Sequence, residues 1–289
     1  MMHRRAAVPA RGVCLLLLFG LMSLDGCETN PYTGRHQLLM TSVSDEMQMG
    51  TQAYTQVKND PKVHLSQDPK EVEPVKRVAA RIIDAAKRSK YGDMAQQFQW
   101  EVTVIKDDKT ANAFALPGGK IAVYTGIFPV AKTEAGLAAV LGHEVTHALA
   151  RHGAERMSQG QLTNAALQVV GAAAGASGVN PLLSQGAMAA LGAGAQVGVL
   201  LPFSRKHESE ADYIGILLAA DAGYDPRESV ALWERMERMS GGGGPSEFLS
   251  THPSHGTRIE QLKKWMPEAL SIYQARQPVQ AAELPSLSR

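Results

Sequence analysis

Residues 134–149 have the sequence EAGLAAVLGHEVTHAL, which contains the pattern H-E-x-x-H. Apolar residues recur at helical spacing on both sides of this pattern, which predicts a helix over Glu134–Met157. His143 and His147 are four residues apart and therefore lie on one face of that helix, one turn apart. They can bind one tetrahedral zinc ion, with Glu144 placed to accept a proton from the attacking water.

A third protein ligand is expected, because a catalytic zinc site usually has three. The metzincin pattern would continue with Gly at position 150 and His at position 153, but Ala150 and Gly153 stand there, so that class is excluded. Further along the chain, Glu208 and Asp212 are four residues apart on one face of another predicted helix. We expect Glu208 to bind the metal and Asp212 to accept a hydrogen bond from a ligating histidine. Glu210 points elsewhere on the same helix and would lack a partner at that spacing.

The composition is that of a globular protein. The chain has 289 residues, of which 44% are hydrophobic and 20% charged, and its formal net charge is +1. Without a basic excess, no nucleic-acid partner is expected. The two cysteines are Cys14, in a segment expected to be removed, and Cys27, so no internal disulfide is expected in the mature chain.

The N-terminal segment has features of a bacterial signal peptide. Arginines at positions 4, 5 and 11 precede the short apolar run Val13–Met22. The following residues, Leu24–Cys27, resemble a lipobox, in which the cysteine becomes the lipidated N-terminus, although Asp25 departs from that pattern. In the lipoprotein pattern an Asp after the cysteine would favour retention in the inner membrane. Glu28 stands there instead, so we expect a lipid anchor at Cys27 on the periplasmic face of the outer membrane. The alternative is a soluble periplasmic protein with a free thiol.

The pattern along the chain predicts a mostly helical α+β fold, a zincin-like metallopeptidase domain with a short antiparallel sheet beside the zinc helix. Val72–Ser89 has helical spacing, whereas Phe98–Val123 has apolar residues at period two. Further helices are predicted at 206–222, 226–239 and 256–265. The predicted parts are a signal peptide at 1–26, a lipidated tether at 27–41, the metallopeptidase domain at 42–270 and a disordered tail at 271–289.

The segment Met157–Ser204 contains no charged residue and is rich in Ala, Gly, Leu and Val. Asn180-Pro181 divides it into two halves. Its many small and polar residues make it weakly hydrophobic for a transmembrane hairpin. The favoured interpretation is two small-residue helices packed against the core or over the active site.

Taken together, the H-E-x-x-H pattern followed by Glu208-x-x-x-Asp212 resembles the gluzincin metallopeptidases of the HtpX and CAAX-prenyl-protease family, peptidase family forty-eight. The resemblance extends from about Asn30 to about Ala269. It includes Asn30-Pro-Tyr-Thr-Gly34, Asn112-Ala-Phe114, Arg151-His152 and Thr251-His252-Pro253. It is strongest for bacterial lipoprotein members of the BepA and LoiP type and for mitochondrial Oma-type proteases, which act in membrane-protein quality control.

The resemblance implies further roles. The stretch Asn112-Ala113-Phe114-Ala115 would be an edge strand that binds a polypeptide substrate by adding its extended backbone to the sheet. His252 would approach the metal, either to stabilise the oxyanion or to fill the open position in a latent state, with His255 as the competing candidate. The uncharged segment would shield or gate the active site.

These features predict a zinc-dependent endopeptidase with one Zn²⁺ per chain. Its setting would be the bacterial cell envelope, where it would degrade misfolded or misassembled outer-membrane or periplasmic proteins. In the mechanism, Glu144 passes the proton of the attacking water to the leaving amine. The alternative is a holdase or assembly factor that uses the same fold with little cleavage. The sequence leaves the oligomeric state open.

Overall fold

In the computed structural model, the described residues are 27–176, 203–240, 247–252 and 256–287. The strands are β1 (Cys27–Thr29), β2 (His36–Leu38), β3 (Glu101–Ile105), β4 (Ala113–Leu116) and β5 (Lys120–Tyr124). The helices are α1 (Val43–Asn59), α2 (Pro69–Arg88), α3 (Gly92–Gln97), α4 (Phe128–Ala131), α5 (Glu134–Leu149), α6 (His152–Ala176), α7 (Arg205–Asp221), α8 (Arg227–Ser240), α9 (Glu247–Thr251) and α10 (Arg258–Gln274). The predicted fold class, mostly helical α+β, is confirmed.

Helix α5 forms the centre of the core, and every one of its residues is buried. It packs against α2, α7 and α8. A Cβ atom on Gly142 would lie 2.6 Å from the carbonyl oxygen of Gly215, and one on Gly215 would lie 2.8 Å from the backbone nitrogen of His143. The two glycines therefore let the backbones of α5 and α7 approach closely, which brings the ligand faces of both helices together.

The chain turns sharply after α5, earlier than the predicted end near Met157. The helix begins after Thr133, whose hydroxyl accepts a hydrogen bond from the Gly136 amide at 3.1 Å. It ends at Leu149, and Arg151 adopts a positive φ of 55° before α6 begins. This left-handed residue redirects the backbone, so that His152 lies beside α5 and not further along the same helix.

The predicted sheet beside α5 has three strands in the order β3-β5-β4. β4 and β5 are antiparallel and are joined through Gly118 and Gly119, whose φ angles are 82° and 84°. β3 and β5 are parallel, which differs from the antiparallel sheet predicted from the sequence. β5 inserts between β3 and β4, and this leaves β4 with a strand neighbour on one side only among the described strands.

Both ends of the described chain pack against the domain. The predicted tether forms an antiparallel hairpin of β1 and β2, whose turn is fixed by Asn30 accepting hydrogen bonds from the amides of Tyr32 and Thr33. The tail was predicted to be disordered, but the amide of Leu284 donates to the Lys132 carbonyl at 2.8 Å and its side chain is buried. Backbone hydrogen bonds to neighbouring segments order these polar stretches.

The uncharged segment is described only in part. α6 continues to Ala176, whereas positions 177–202, including Asn180-Pro181, lie outside the described residues. The predicted hairpin and gate therefore stay predictions. None of the helices within the described ranges is both long and apolar enough to cross a membrane.

Candidate metal centre

Four buried side chains from three parts of the chain converge at one point. His143 and His147 come from α5, Glu208 comes from the first turn of α7, and His252 follows α9. Their ligand atoms all lie within 4.8 Å of one another. His143 Nε2 lies 3.1 Å from His147 Nε2 and 3.2 Å from His252 Nδ1, while a carboxylate oxygen of Glu208 lies 3.0 Å from His252 Nδ1. The three predicted ligands are thus together, and His252 joins them.

The chemistry of this donor set fits a zinc ion. His143 Nδ1 lies 3.0 Å from a carboxylate oxygen of Asp212, so this nitrogen carries a proton and Nε2 is the atom that can bind a metal. Imidazole nitrogen and carboxylate oxygen are ligands that zinc takes. In the absence of a cation, the lone pairs of His143 and His147 and the charge of Glu208 would repel one another, so the cluster fits a positive ion between them.

The pKa shifts of His143 and His147 also indicate a site that accommodates positive charge. Burial lowers the pKa of His143, but the carboxylates of Asp212 and Glu208 outweigh this effect and raise it to about 9. Burial and the nearby His143 hold the pKa of His147 well below its ordinary value. His143 is therefore the ring that would carry a positive charge, whereas His147 stays neutral and keeps a lone pair for a metal.

Asp212 and Arg258 support the site from the side of α7 and α10. The guanidinium of Arg258 donates hydrogen bonds to Glu208 at 2.9 Å and to Asp212 at 2.7 Å. The same group lies over the ring of Trp233, 3.4 Å from its centroid. Asp212 thus has the predicted position beside His143. Sequence reasoning missed Arg258, because nothing in the local pattern of α10 distinguishes it from a surface arginine.

Glu144 lies next to the cluster without belonging to the ligand group. It is buried, and its Oε1 atom has no hydrogen-bond partner among the described residues. This oxygen lies 3.4 Å from His252 Nε2. Burial raises the pKa of Glu144 above the ordinary value of a glutamate. The carboxyl group is therefore better suited to accept and release a proton near neutral pH. A buried carboxylate oxygen without a hydrogen bond is costly unless water or substrate donates one to it.

A second buried network lies on the other side of His147. Its Nδ1 atom is 3.0 Å from His152 Nδ1, and His152 Nε2 is 3.1 Å from a carboxylate oxygen of Glu210. Arg35 donates to Glu210 at 2.8 Å and 2.9 Å and to Glu155 at 2.6 Å and 2.7 Å. Glu210, which was predicted to lack a partner at helical spacing, thus has its partners at long range, in His152 and in Arg35 of the β1–β2 hairpin.

The predicted substrate-binding stretch lies at the edge of the sheet. Ala113, Phe114 and Ala115 belong to β4, Asn112 precedes it, and β4 packs against α5. The amide of Phe248 donates to the carbonyl of Ala111, which connects the start of this strand to the helix that precedes His252. The competing candidate at position 255 lies outside the described residues.

Comparison with known proteins identifies relatives over most of the chain. The model of peptidase family M48 matches residues 69–266. Mitochondrial metalloendopeptidase OMA1 of Schizosaccharomyces pombe is 40% identical over 253 residues, which are 86% of this chain and 69% of that protein. The protein of the same name from Saccharomyces cerevisiae is 33% identical over 273 residues, 90% of this chain and 76% of that protein. The beta-barrel assembly-enhancing protease of Escherichia coli K12 is 28% identical over 242 residues, 83% of this chain and 47% of that protein.

These relatives contradict the predicted location. The yeast relatives that match most of the chain are mitochondrial metalloendopeptidases, so the prediction of a bacterial outer-membrane or periplasmic protease is wrong. The error has a physical source, because an arginine-rich N-terminus without acidic residues before Asp25 is compatible with more than one targeting route. Residues 1–26 lie outside the described residues, and lipidation of Cys27 stays a prediction.

The resemblance drawn from the sequence motifs is confirmed. The family match covers the zinc helix, Glu208 and Asp212, and the two yeast relatives share at least 30% identity over most of the chain. The cluster of three imidazoles and one carboxylate supplies ligands that suit the metal of this family. The chain therefore belongs to peptidase family M48 and is a zinc metalloendopeptidase.

Proposed function

We propose that this chain cleaves internal peptide bonds of polypeptides bound in extended form along β4, with zinc held by His143, His147 and Glu208. The observation that supports this proposal most directly is the convergence of those three side chains beside Glu144, a buried carboxylate whose Oε1 atom has no hydrogen-bond partner among the described residues. Three protein ligands with a neighbouring carboxyl group form the arrangement that metal-assisted peptide hydrolysis needs.

Glu144, Asp212 and Arg258 have separate roles in the proposed hydrolysis. When bound, zinc supplies the Lewis acidity that activates water and polarises the scissile carbonyl. Glu144 accepts the proton of the attacking water and returns it to the leaving amine. Asp212 keeps the proton of His143 on Nδ1, so that Nε2 faces the metal. Arg258 holds both Asp212 and Glu208 in place.

His252 lies between the ligand group and Glu144 and contacts both. Its Nδ1 faces Glu208 and His143, and its Nε2 faces Glu144. We infer that this arrangement is the latent form, in which His252 fills the open position of the metal. The other predicted role, stabilising the oxyanion, would then belong to a second state in which the imidazole has left that position.

The register of the sheet identifies the backbone groups that would pair with substrate. Tyr124 donates its amide to the Asn112 carbonyl at 3.0 Å, so hydrogen-bonded pairs with β5 fall at positions 112, 114 and 116. The amides and carbonyls of Ala113 and Ala115 then point away from β5. The Ala113 amide is already bonded to the side chain of Asn112, which leaves the Ala115 amide to meet an added strand.

The central test is Glu144→Gln, which keeps the shape of the side chain and removes its proton exchange. We expect the variant to bind zinc stoichiometrically and to cleave casein about 10²- to 10⁴-fold more slowly. Glu71→Gln is the control, because Glu71 is a buried glutamate bonded to Ser66 and Lys106, away from the cluster. Unchanged cleavage by Glu144→Gln would overturn the proposal. Rescue of a deletion strain by this variant would favour the holdase alternative.

The edge-strand part of the proposal is tested by Ala115→Pro. Proline removes the one amide hydrogen at issue and is tolerated on an edge strand when that hydrogen does not serve the sheet. Loss of one backbone hydrogen bond to substrate predicts a kcat/KM about 3- to 10-fold lower. Ala115→Val keeps the amide and is the control. If proline and valine reduced kcat/KM equally, substrate would not pair with this edge.

A further inference from the structure

We propose that a buried relay of His152, Glu210 and Arg35 positions the zinc ligand His147, and that the N-terminal hairpin therefore completes the metal centre. This inference depends on the proposal that His147 binds zinc. The three relay residues act as positioning residues, since they reach the metal only through His147.

The hydrogen-bond geometry defines the direction of the relay. To bind metal through Nε2, His147 must carry its proton on Nδ1. That proton points at His152 Nδ1, 3.0 Å away, which must then be the acceptor. His152 consequently has its own proton on Nε2, directed at the Glu210 carboxylate at 3.1 Å. With both imidazoles neutral, each donor thus meets an acceptor only when His147 is the tautomer that exposes the Nε2 lone pair to the metal.

The far end of the relay is held by the hairpin. Arg35 lies in the segment between β1 and β2, and its Nε and Nη2 atoms both donate to Glu210. The hydroxyl of Thr33 in the same turn also donates to Glu210. His152 is fully buried and Glu210 is 5% exposed, so these protein contacts take the place of water. A carboxylate behind a metal-bound histidine usually fixes its ring and tautomer; here one imidazole is inserted between the two.

A simpler interpretation is that the network only attaches the hairpin to the core, and the chain contains a matched residue that separates the two roles. The ring of His207 stacks on that of His152, with centroids 4.6 Å apart. Its Nε2 lies 3.0 Å from Glu155, which Arg35 also binds. His207 is 2% exposed and belongs to the same cluster, but among the described residues its ring contacts Glu155, His152 and Phe203 and not His147.

The experiment compares His152→Phe with His207→Phe in the full chain. Zinc affinity is measured by competition with a chromophoric chelator, and ligand geometry is followed by the visible spectrum of the cobalt-substituted protein. We expect His152→Phe to weaken zinc binding about 10- to 100-fold and to shift the cobalt bands. His207→Phe should lower stability to a similar extent but keep zinc affinity within about 3-fold. Equal zinc affinities in the two variants would overturn the relay.

Two further variants keep the test decisive if His152→Phe does not fold. His152→Asn places an amide oxygen near the position of Nδ1, so it keeps the acceptor for His147 and should recover most of the affinity. Glu210→Gln removes the charge at nearly constant shape and should weaken zinc binding several-fold. Wild-type affinity in Glu210→Gln, or no recovery in His152→Asn relative to His152→Ala, would contradict the relay. Absence of zinc binding in the wild-type protein would instead refute the proposed function.

Discussion

The two imidazoles of the zinc helix are supported in different ways on their two sides. His143 contacts the Asp212 carboxylate directly, whereas His147 contacts a second imidazole, with Glu210 one step further away. An arginine stabilises the acids on each side. The Arg258 side chain is 3% exposed and that of Arg35 is 20% exposed. One support is thus sealed among the C-terminal helices, and the other extends to the N-terminal hairpin near solvent.

This difference indicates how strongly the stability of each side depends on its arginine. The carboxylates on both sides are buried, so the difference lies in the arginines. Removal of Arg258 leaves a dry gap, whereas removal of the partly exposed Arg35 lets water reach the acids that it bound. Glu155 and Glu210 also have other hydrogen-bond donors, from His207, Gln37 and Thr33. The C-terminal side should therefore be the more sensitive to loss of its arginine.

The largest effect is expected for Arg258→Met. This change leaves Asp212 and Glu208 without their guanidinium and removes the stacking on Trp233, so the free energy of unfolding should fall by about 3–5 kcal/mol. Urea denaturation measures it, with the zinc concentration held fixed because bound metal adds stability. Arg276→Met is the control: its pair with Asp221 is exposed and should contribute at most about 1 kcal/mol. Equal losses in the two variants would show that the buried arginine is dispensable.

A smaller effect is expected for Arg35→Met. The side chain is partly solvated and its carboxylates keep other donors, so the loss should be about 2 kcal/mol. Arg35→Lys keeps the charge but lacks the planar fork that reaches both carboxylates, and it should recover only part of the stability. The same urea measurement applies. A loss as large as that of Arg258→Met would mean that the two sides are equivalent, contrary to the comparison.

The sequence predicted the half of the site that depends on local spacing. His143, His147, Glu208 and Asp212 were found because residues four apart share a helix face, whatever the rest of the chain does. The helices around them were found for the same reason. The stretch 27–41 was interpreted as a tether, because turn-forming residues look alike whether they face solvent or pack against a domain.

The half that was missed depends on pairing across long sequence distances. Arg35 and Glu210 are 175 positions apart, and no periodicity connects them. Arg258 lies at the start of a helix with two other basic residues, and only the tertiary fold makes it the buried one. The parallel pairing of β3 with β5 was missed similarly, because alternation in a strand shows which face is buried but not which neighbour it has.

The smallest predicted effect is a pH dependence of protein stability that arises from Glu155, on the side of the hairpin. Burial favours the neutral form of Glu155, but hydrogen bonds from His207, Arg35 and Gln37 outweigh it and hold its pKa well below the ordinary value of 4.5. A lowered folded-state pKa stabilises the protein above the ordinary value, and this contribution is lost as the pH falls through the folded-state pKa. Glu155→Gln should therefore be less stable than wild type by about 1 kcal/mol at pH 7.

Thermal unfolding followed by circular dichroism between pH 7 and pH 3.5 tests this effect. The difference in Tm between wild type and Glu155→Gln should stay constant above pH 4.5 and narrow below it, because only the wild type has this carboxylate to protonate. Other acids titrate in both proteins and cancel in the difference. Glu73→Gln changes an exposed acid of α2 and should show no such narrowing. If the Tm difference between wild type and Glu155→Gln widened on acidification, protonation of Glu155 would stabilise the folded protein. The hairpin side would then lack the ion pairs on which the comparison depends.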